Sequence, residues 1–481
     1  MAEVSSPTMV RPTRVRLGVL AFVCALAMIT YLDRACFPNV QDSVRTSLNL
    51  ERVEDLWLPL SAFQLAYALF EVPTGWLGDR FGPRKTLIRI VLWWSFFIAL
   101  TGMVGTVTGI VTFGYPIPEF TLYGFWGLVT VRFLFGIGEA GAFPNIARSL
   151  YNWFPLRERG RAAGMVWMSA RLMGGLTPLI VILLIGKMHI HWRAVFLLFG
   201  SIGVTWAVAF AYWFRNTPDE HSRVNEAERD LIHSDRGTAE IHGGIPWRLL
   251  FSNRSVWALC LMYVCGNYSW YFSMNYLPAF LDEQYGMKGD EFGAIYKGGP
   301  LLMGLAGCFI GGWLTDRWIR RTGDRKWGRR VYGIGGHGLA AVCMLACIFI
   351  PSVHGFVWLF ALVIALSGFF NDVTMAPTWA ACQDVGKRYS AIVSGCMNMI
   401  GNLGGATTTA LSPWIVKLFI EREALAHGVK VAELSPQLKS AAARAGWNLN
   451  FAIYAAVYLL AIVFWLNVNA AKPVPQEQVA N

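Results

Sequence analysis

GWLGDRFGPRK (residues 75–85) and GWLTDRWIRR (312–321) decide the fold. Each follows an apolar run, and a glycine, an aspartate and an arginine recur at matching offsets: Gly75, Asp79 and Arg80, then Gly312, Asp316 and Arg317. Two copies in matching places form an internal repeat, as in membrane proteins built from two related halves. Outward from these copies, hydropathy resolves twelve spans, at 17–37, 57–78, 87–107, 122–147, 162–186, 194–214, 255–281, 292–313, 331–351, 356–380, 390–418 and 447–468. The longest polar insertion, 215–244, separates spans six and seven. The predicted organisation is an N-terminal half (1–214), a cytoplasmic linker ending in a short interfacial helix (215–254) and a C-terminal half (255–481). Trp247 and Trp257 are the anchors expected around that interfacial helix. The fold class is an all-α polytopic membrane protein with twelve transmembrane helices in two pseudo-symmetric six-helix halves.

Composition agrees. The chain has 481 residues, 55% hydrophobic and only 15% charged, where a soluble protein carries about 25% charge. The apolar run beginning at Leu17 is too long for a signal-peptide core, contains charges and lacks a small-residue cleavage site, so it reads as a retained first span. The net charge of +11 is concentrated in alternate loops: Arg11, Arg14 and Arg16, then Arg80, Arg84, Lys85 and Arg89, then Arg157, Arg159 and Arg161, and a dense group from Arg317 to Arg330. Loops 108–121 and 352–355 hold no Lys or Arg. The positive-inside rule therefore predicts both termini in the cytoplasm of a multi-pass protein of the cell (inner) membrane, and it explains the basic balance without nucleic acid. The loop at 419–446 is the exception; it mixes Arg422, Lys430, Lys439 and Arg444 with acids and is predicted to hold a short amphipathic helix. The nine cysteines lie almost all in apolar runs without metal-ligand spacing, which reads as packing rather than disulfides or zinc.

Charges inside spans locate the chemistry. RFLFGIGEAGAFPN (132–145) places Arg132 and Glu139 seven residues apart, two turns along one helix face, and YLDRACF (31–37) places Asp33 beside Arg34 in the first span. A charge at the bilayer centre costs at least ~2.5–3.5 kcal/mol, so it persists where it faces protein or water and finds a partner. Arg132 and Glu139 are the predicted partners of Asp33 and Arg34.

GWLGDRFGPRK resembles the loop signature of the major facilitator superfamily, at Gly75, Asp79, Arg80, Gly82, Arg84 and Lys85. YLDRACF, RFLFGIGEAGAFPN, WFPLRERGRA (153–162), HWRAVF (191–196) and WYFSMNYLPAFL (270–281) resemble the anion:cation symporter family within it, which includes galactonate, hexuronate and glucarate transporters and sialin. The resemblance implies that Asp33 and Glu139 are the protonatable pair and that Arg34 and Arg132 organise substrate and proton. It also makes Asp79, Arg80, Arg84, Asp316 and Arg317 gating elements with Gly75. Physically, burial disfavours an ionised carboxyl and a neighbouring arginine favours it, so an anion that takes the arginine promotes protonation. The alternative reading is that these four charges form buried ion pairs that only hold spans one and four together.

Arg171, in SARLMGGLTP (169–178), is a further fixed cation where galactonate-type relatives tend to have glutamine. It grips either an additional substrate carboxylate or another buried acid such as Asp372. Tyr31, Tyr268, Tyr271, Asn275 and Trp379 supply aromatic faces and neutral polar groups suited to a sugar acid, or else pack the core. Asn398 and Asn402 lie one turn apart, and one of them matches a substrate-contacting asparagine of the family. Glu71 and Arg148 read as gate or loop contacts. The glycines of GNLGGA (401–406) and of 136, 138 and 141 lack a strand or a phosphate-loop lysine and read as close helix packing.

The expected function is secondary active, proton-coupled uptake of an organic anion, most simply a hexuronate, aldonate or aldarate, by a monomer with no cofactor or metal. The alternatives are sodium-coupled or uncoupled transport of another carboxylate, and, from another class, a membrane-embedded enzyme or receptor. An enzyme requires a nucleophile or metal constellation, and the sequence shows none.

Overall fold

The computed structural model describes residues 11–50, 56–107, 111–112, 115–116, 120–122, 124–233, 247–386 and 390–474, without the side chains of 79, 105–123, 156, 157, 159, 160, 247, 390 and 391. Six spans form the first half: Val15–Asn39, Trp57–Phe81, Pro83–Thr101, Gly124–Glu139 continued by Ala142–Trp153, Leu156–Ile182, and Trp192–Trp213. The second half repeats the pattern: Arg254–Asn275 continued by Leu277–Tyr285, Glu291–Thr322, Arg325–Phe349, Val357–Val373 continued by Met375–Gly386, Ser390–Ala426, and Pro436–Trp465. Among the described residues, seven helices qualify as membrane crossings by length and apolarity alone. The remaining spans are shorter, broken or more polar.

Three spans expected to be continuous are broken. Span four pauses after Glu139, span seven at Tyr276 and span ten at Thr374. In each case a proline follows closely, at Pro144, Pro278 and Pro377, and its ring excludes the carbonyl four residues earlier from the ladder. Proline alone does not decide the outcome, because Pro73, Pro178, Pro300 and Pro413 sit inside unbroken helices.

Three loops also differ from expectation. The segment after span three carries two short antiparallel pairings, Gly105–Val107 with Phe120–Leu122 and Val111–Thr112 with Tyr115–Pro116, in line with its β-branched and aromatic content. No separate amphipathic helix fills 419–446: span eleven runs on to Ala426, a single turn covers Val431–Glu433, and span twelve starts at Pro436. The interfacial helix, described over Trp247–Ser252, ends there because Asn253 caps span seven by accepting from the amides of Ser255 (2.9 Å) and Val256 (3.3 Å).

The start of the polar insertion is docked against the first half. Its helix Glu226–His233 buries Glu228 completely, and that carboxylate accepts from the Thr13 hydroxyl at 2.6 Å, the Val15 and Arg16 amides at 3.1 and 3.2 Å, and the Arg16 guanidinium at 3.0 Å. Glu228 thus satisfies free amides at the start of span one, where an anion is also favoured by the helix dipole. Glu228→Ala is expected to destabilise the first half by about 1–3 kcal/mol, because it strands several donors at once. A melting temperature equal to that of the unaltered protein would contradict this.

The first and last described segments lie beside basic loops: Arg16 pairs with Glu158 at 3.0 Å, and Arg330 donates to the Val468 carbonyl at 2.7 Å. At the opposite, far end the two halves are tied together. Gln41 Nε2 donates to the Asn275 carbonyl at 2.7 Å, Lys187 pairs with Glu291 at 2.5 Å, and Lys288 contacts Asp42, which also holds Arg45 at 2.8 Å. Near the middle, spans five and eight touch backbone to backbone: a β-carbon on Gly298 would lie 1.9 Å from the Gly175 carbonyl oxygen.

Candidate functional site

Between the halves lies a central cavity. Spans one, two, four and five contribute Tyr31, Arg34, Tyr67, Phe143, Trp167 and Arg171. Spans seven, ten and eleven contribute Tyr263, Asn267, Trp270, Tyr271, Asn371, Met375, Asn398 and Asn402. Its volume is about 40 Å³, room for a few waters.

Two of the four charges predicted to meet on spans one and four form an ion pair. Arg34 Nε and Nη2 both lie 3.2 Å from Glu139 Oε1, with both side chains almost fully buried. The break after Glu139 positions this carboxylate at the end of the first segment of span four. The Arg34 guanidinium also stacks 4.5 Å from the Tyr67 ring and 5.5 Å from the Tyr31 ring. Arg132 sits behind the cavity wall, not on it. It is 1% exposed and boxed by Phe37, Phe63 and Phe135 at 4.7–5.0 Å. Asp33 has Glu139, Arg132 and Trp94 as electrostatic neighbours, but neither of its buried oxygens makes a hydrogen bond of good geometry.

Arg171 meets Asp372, one of its two predicted kinds of partner. The N···O distances are 2.8 and 2.9 Å, and Asn371 donates to the same carboxylate at 3.0 Å. Span eight leaves room for Asp372 through Gly304, where a β-carbon would come within 2.3 Å of Oδ2. The Arg171 guanidinium also lies 4.6 Å from the Trp270 ring. The pair joins spans five and ten, and therefore the two halves.

Asn398 and Asn402 both face the cavity, so the structure does not separate them. Both donate to Glu71 on span two, Asn402 at 3.4 Å, and Asn402 accepts from the Tyr271 hydroxyl at 3.2 Å. Glu71, read from sequence as a gate or loop contact, is 3% exposed and belongs to the central layer.

Other predicted residues lie elsewhere. Tyr268 turns from the cavity toward Tyr454, ring centroids 5.9 Å apart. Asn275 belongs to the far-end tie and donates to the Thr409 hydroxyl at 2.9 Å. Trp379 is half-buried beside the cavity, 5.8 Å from Trp167. Gly75 packs span two against Pro144, where a β-carbon would meet the ring at 3.2 Å. Arg84 ties its loop to span six, its amide donating to Asn216 at 3.0 Å and its guanidinium to the Ala211 carbonyl. Arg80 and Arg317 are exposed over Trp76 and Trp313, Asp316 is exposed, and the side chain of Asp79 lies outside the described residues. Tyr67, Trp167, Tyr263 and Asn267 were not singled out from sequence. Aromatic residues are abundant in these spans, and only the rotation of each helix distinguishes cavity from core.

Residues 23–409 match the profile of the Major Facilitator Superfamily. A probable sulfoacetate transporter of Cupriavidus necator is 31% identical over 407 residues, covering 84% of this chain and 87% of that protein. A probable galactarate/D-glucarate transporter of Bacillus subtilis is 29% identical over 427 residues, covering 84% and 87%, and a hexuronate transporter of the same organism is 26% identical, covering 83% and 88%. Among solved structures, a bacterial homolog of the human lysosomal transporter Spinster, in an inward-facing and unoccupied conformation, superposes with a TM-score of 0.70 at 18% identity, covering 95% of this chain and 99% of that one.

Proposed function

Because this chain belongs to the major facilitator superfamily, we propose that it is a proton-coupled importer of a sugar acid, a hexuronate, aldonate or aldarate. It works as a monomer in the cell membrane with its basic end and both termini in the cytoplasm. Residues 215–254 divide the halves, which rock about the central cavity. The relatives named for sulfoacetate, galactarate/D-glucarate and hexuronate support an organic acid as cargo.

One observation carries the reading: the cavity cation Arg34 is held by Glu139. A substrate carboxylate that binds Arg34 competes with Glu139 for the guanidinium, and Glu139, relieved of its partner in a low-dielectric site, takes a proton. Anion and proton then occupy the carrier together. Asp33 is the second proton carrier, Arg132 tunes the pair from behind, Asn398 and Asn402 contact the substrate, and Tyr271 and Tyr31 meet its hydroxyl groups. The far-end ties through Asp42, Lys187 and Gln41 form the closed gate of this conformation, and Gly75, Asp79, Arg80, Arg84, Asp316 and Arg317 serve the gate at the basic end.

Proteoliposomes containing the purified protein are expected to accumulate labelled D-glucarate, D-glucuronate or D-galactonate when the lumen is alkaline, and to lose the accumulation on adding a protonophore. Accumulation that ignores the pH gradient and follows sodium instead would defeat the proton assignment.

A further inference from the structure

The coupling scheme leaves unused one buried carboxylate that touches two residues of the cavity wall. Glu71 projects from span two between the halves, and each of its oxygens takes one amide donor from span eleven, Oε1 from Asn398 and Oε2 from Asn402 at 3.4 Å. A carboxylate only accepts, so both amides must turn their NH2 groups toward Glu71. The Tyr271 hydroxyl, which donates to the remaining carbonyl oxygen of Asn402 at 3.2 Å, agrees with that orientation. Arg34 lines the cavity with both asparagines, its guanidinium held by Glu139. Two amides converging on one carboxylate, with a guanidinium in the adjoining cavity wall, are the kinds of donor by which a protein recognises an organic acid.

We infer that Asn398 and Asn402, with Arg34 beside them, form an acid-group subsite and that Glu71 occupies its amide side as an internal stand-in for the substrate's carboxylate. The inference rests on the central cavity being the substrate site. Glu71 bridges span two to span eleven, so its occupancy also ties the halves together. An incoming acid group takes the amides and Arg34, Glu71 withdraws, and the tie is released as cargo binds. Glu71 therefore weakens anion binding by competition, and its displacement links loading to separation of the halves.

Calorimetric titration of the purified full-length protein with D-glucarate tests this. Glu71→Gln removes the competing charge while keeping size and one acceptor. It is expected to tighten D-glucarate binding about tenfold, equivalent to about 1.4 kcal/mol, while lowering the melting temperature without ligand, because the tie is weakened. A merely structural role predicts that stability and affinity fall together. The gain should vanish in Glu71→Gln/Asn402→Ala, since it acts through the amides. If Glu71→Gln does not yield folded protein, Glu71→Asp, which draws the carboxylate back by one methylene, should shift affinity in the same direction. Unchanged or weaker binding in the Glu71 variant, with binding abolished in Arg34→Gln, overturns the stand-in alone. Binding that survives Arg34→Gln untouched overturns the central site and the stand-in together.

Discussion

Asp372→Asn is expected to destabilise the protein by about 3–5 kcal/mol, the cost of leaving a buried charge without its partner. Arg171 is 4% exposed, and its carboxylate partner lies at 2.8 and 2.9 Å. Once Asp372 is neutral, the faces of Trp270 and Tyr31 remain, at 4.6 and 6.0 Å. Cation–π contacts supply about 2 kcal/mol at best, which does not replace a bidentate ion pair. The double substitution Arg171→Gln/Asp372→Asn removes both charges and should recover most of the loss in melting temperature. Equal losses in the single and double variants would show that the pair is not what stabilises the contact between spans five and ten. The same variants test the substrate role of Arg171. If it takes a second acid group when Asp372 lets go, D-glucarate should raise the melting temperature of Asp372→Asn more than that of the unaltered protein, by supplying the missing anion. Arg171→Gln should then weaken dicarboxylates more than monocarboxylates. Equal affinities for both classes would confine Arg171 to its pairing with Asp372.

Glu139→Gln is expected to abolish concentrative uptake in proteoliposomes while counterflow exchange of labelled for unlabelled substrate continues. One pH unit supplies about 1.4 kcal/mol per coupled proton, or about tenfold accumulation. A side chain that cannot release its proton cannot draw on that gradient. Exchange needs no net proton movement, and glutamine still offers Arg34 a carbonyl acceptor, so the substrate site stays assembled. Loss of both activities would make Glu139 a structural partner of Arg34, and retention of both would remove it from the proton path. Asp33→Asn is the companion measurement. Asp33 lacks a direct ion pair with Arg34, so its loss should change coupling with less effect on the Arg34 geometry than the loss of Glu139.

The span count, the repeat and the presence of charged residues at the centre were legible because the bilayer imposes them. Lipid demands long apolar helices, so Asp33, Arg34, Arg132, Glu139 and Arg171 stand out of their runs, and positive loops mark one end. Which charges meet was legible only as candidates, Glu139 or Arg132 for the charges of span one and Asp372 or a substrate carboxylate for Arg171. Arg171 and Asp372 are 201 residues apart and Asn402 and Glu71 are 331 residues apart, and no local pattern joins them. Arg132, equal to Arg34 in sequence terms, turns behind the cavity wall. Each residue rotates a helix face by about 100°, so Tyr271 reaches the cavity while Tyr268, three positions earlier, packs on Tyr454. Sequence alone determined a twelve-span, two-half membrane protein with ionisable groups in its first half, since hydrophobic length and charge cost are properties of the chain. Tertiary structure alone decided that Glu139 holds Arg34, that Asp372 holds Arg171 and that Glu71 fills the asparagine pair, since these contacts depend on helix rotation and on the approach of two halves distant in sequence.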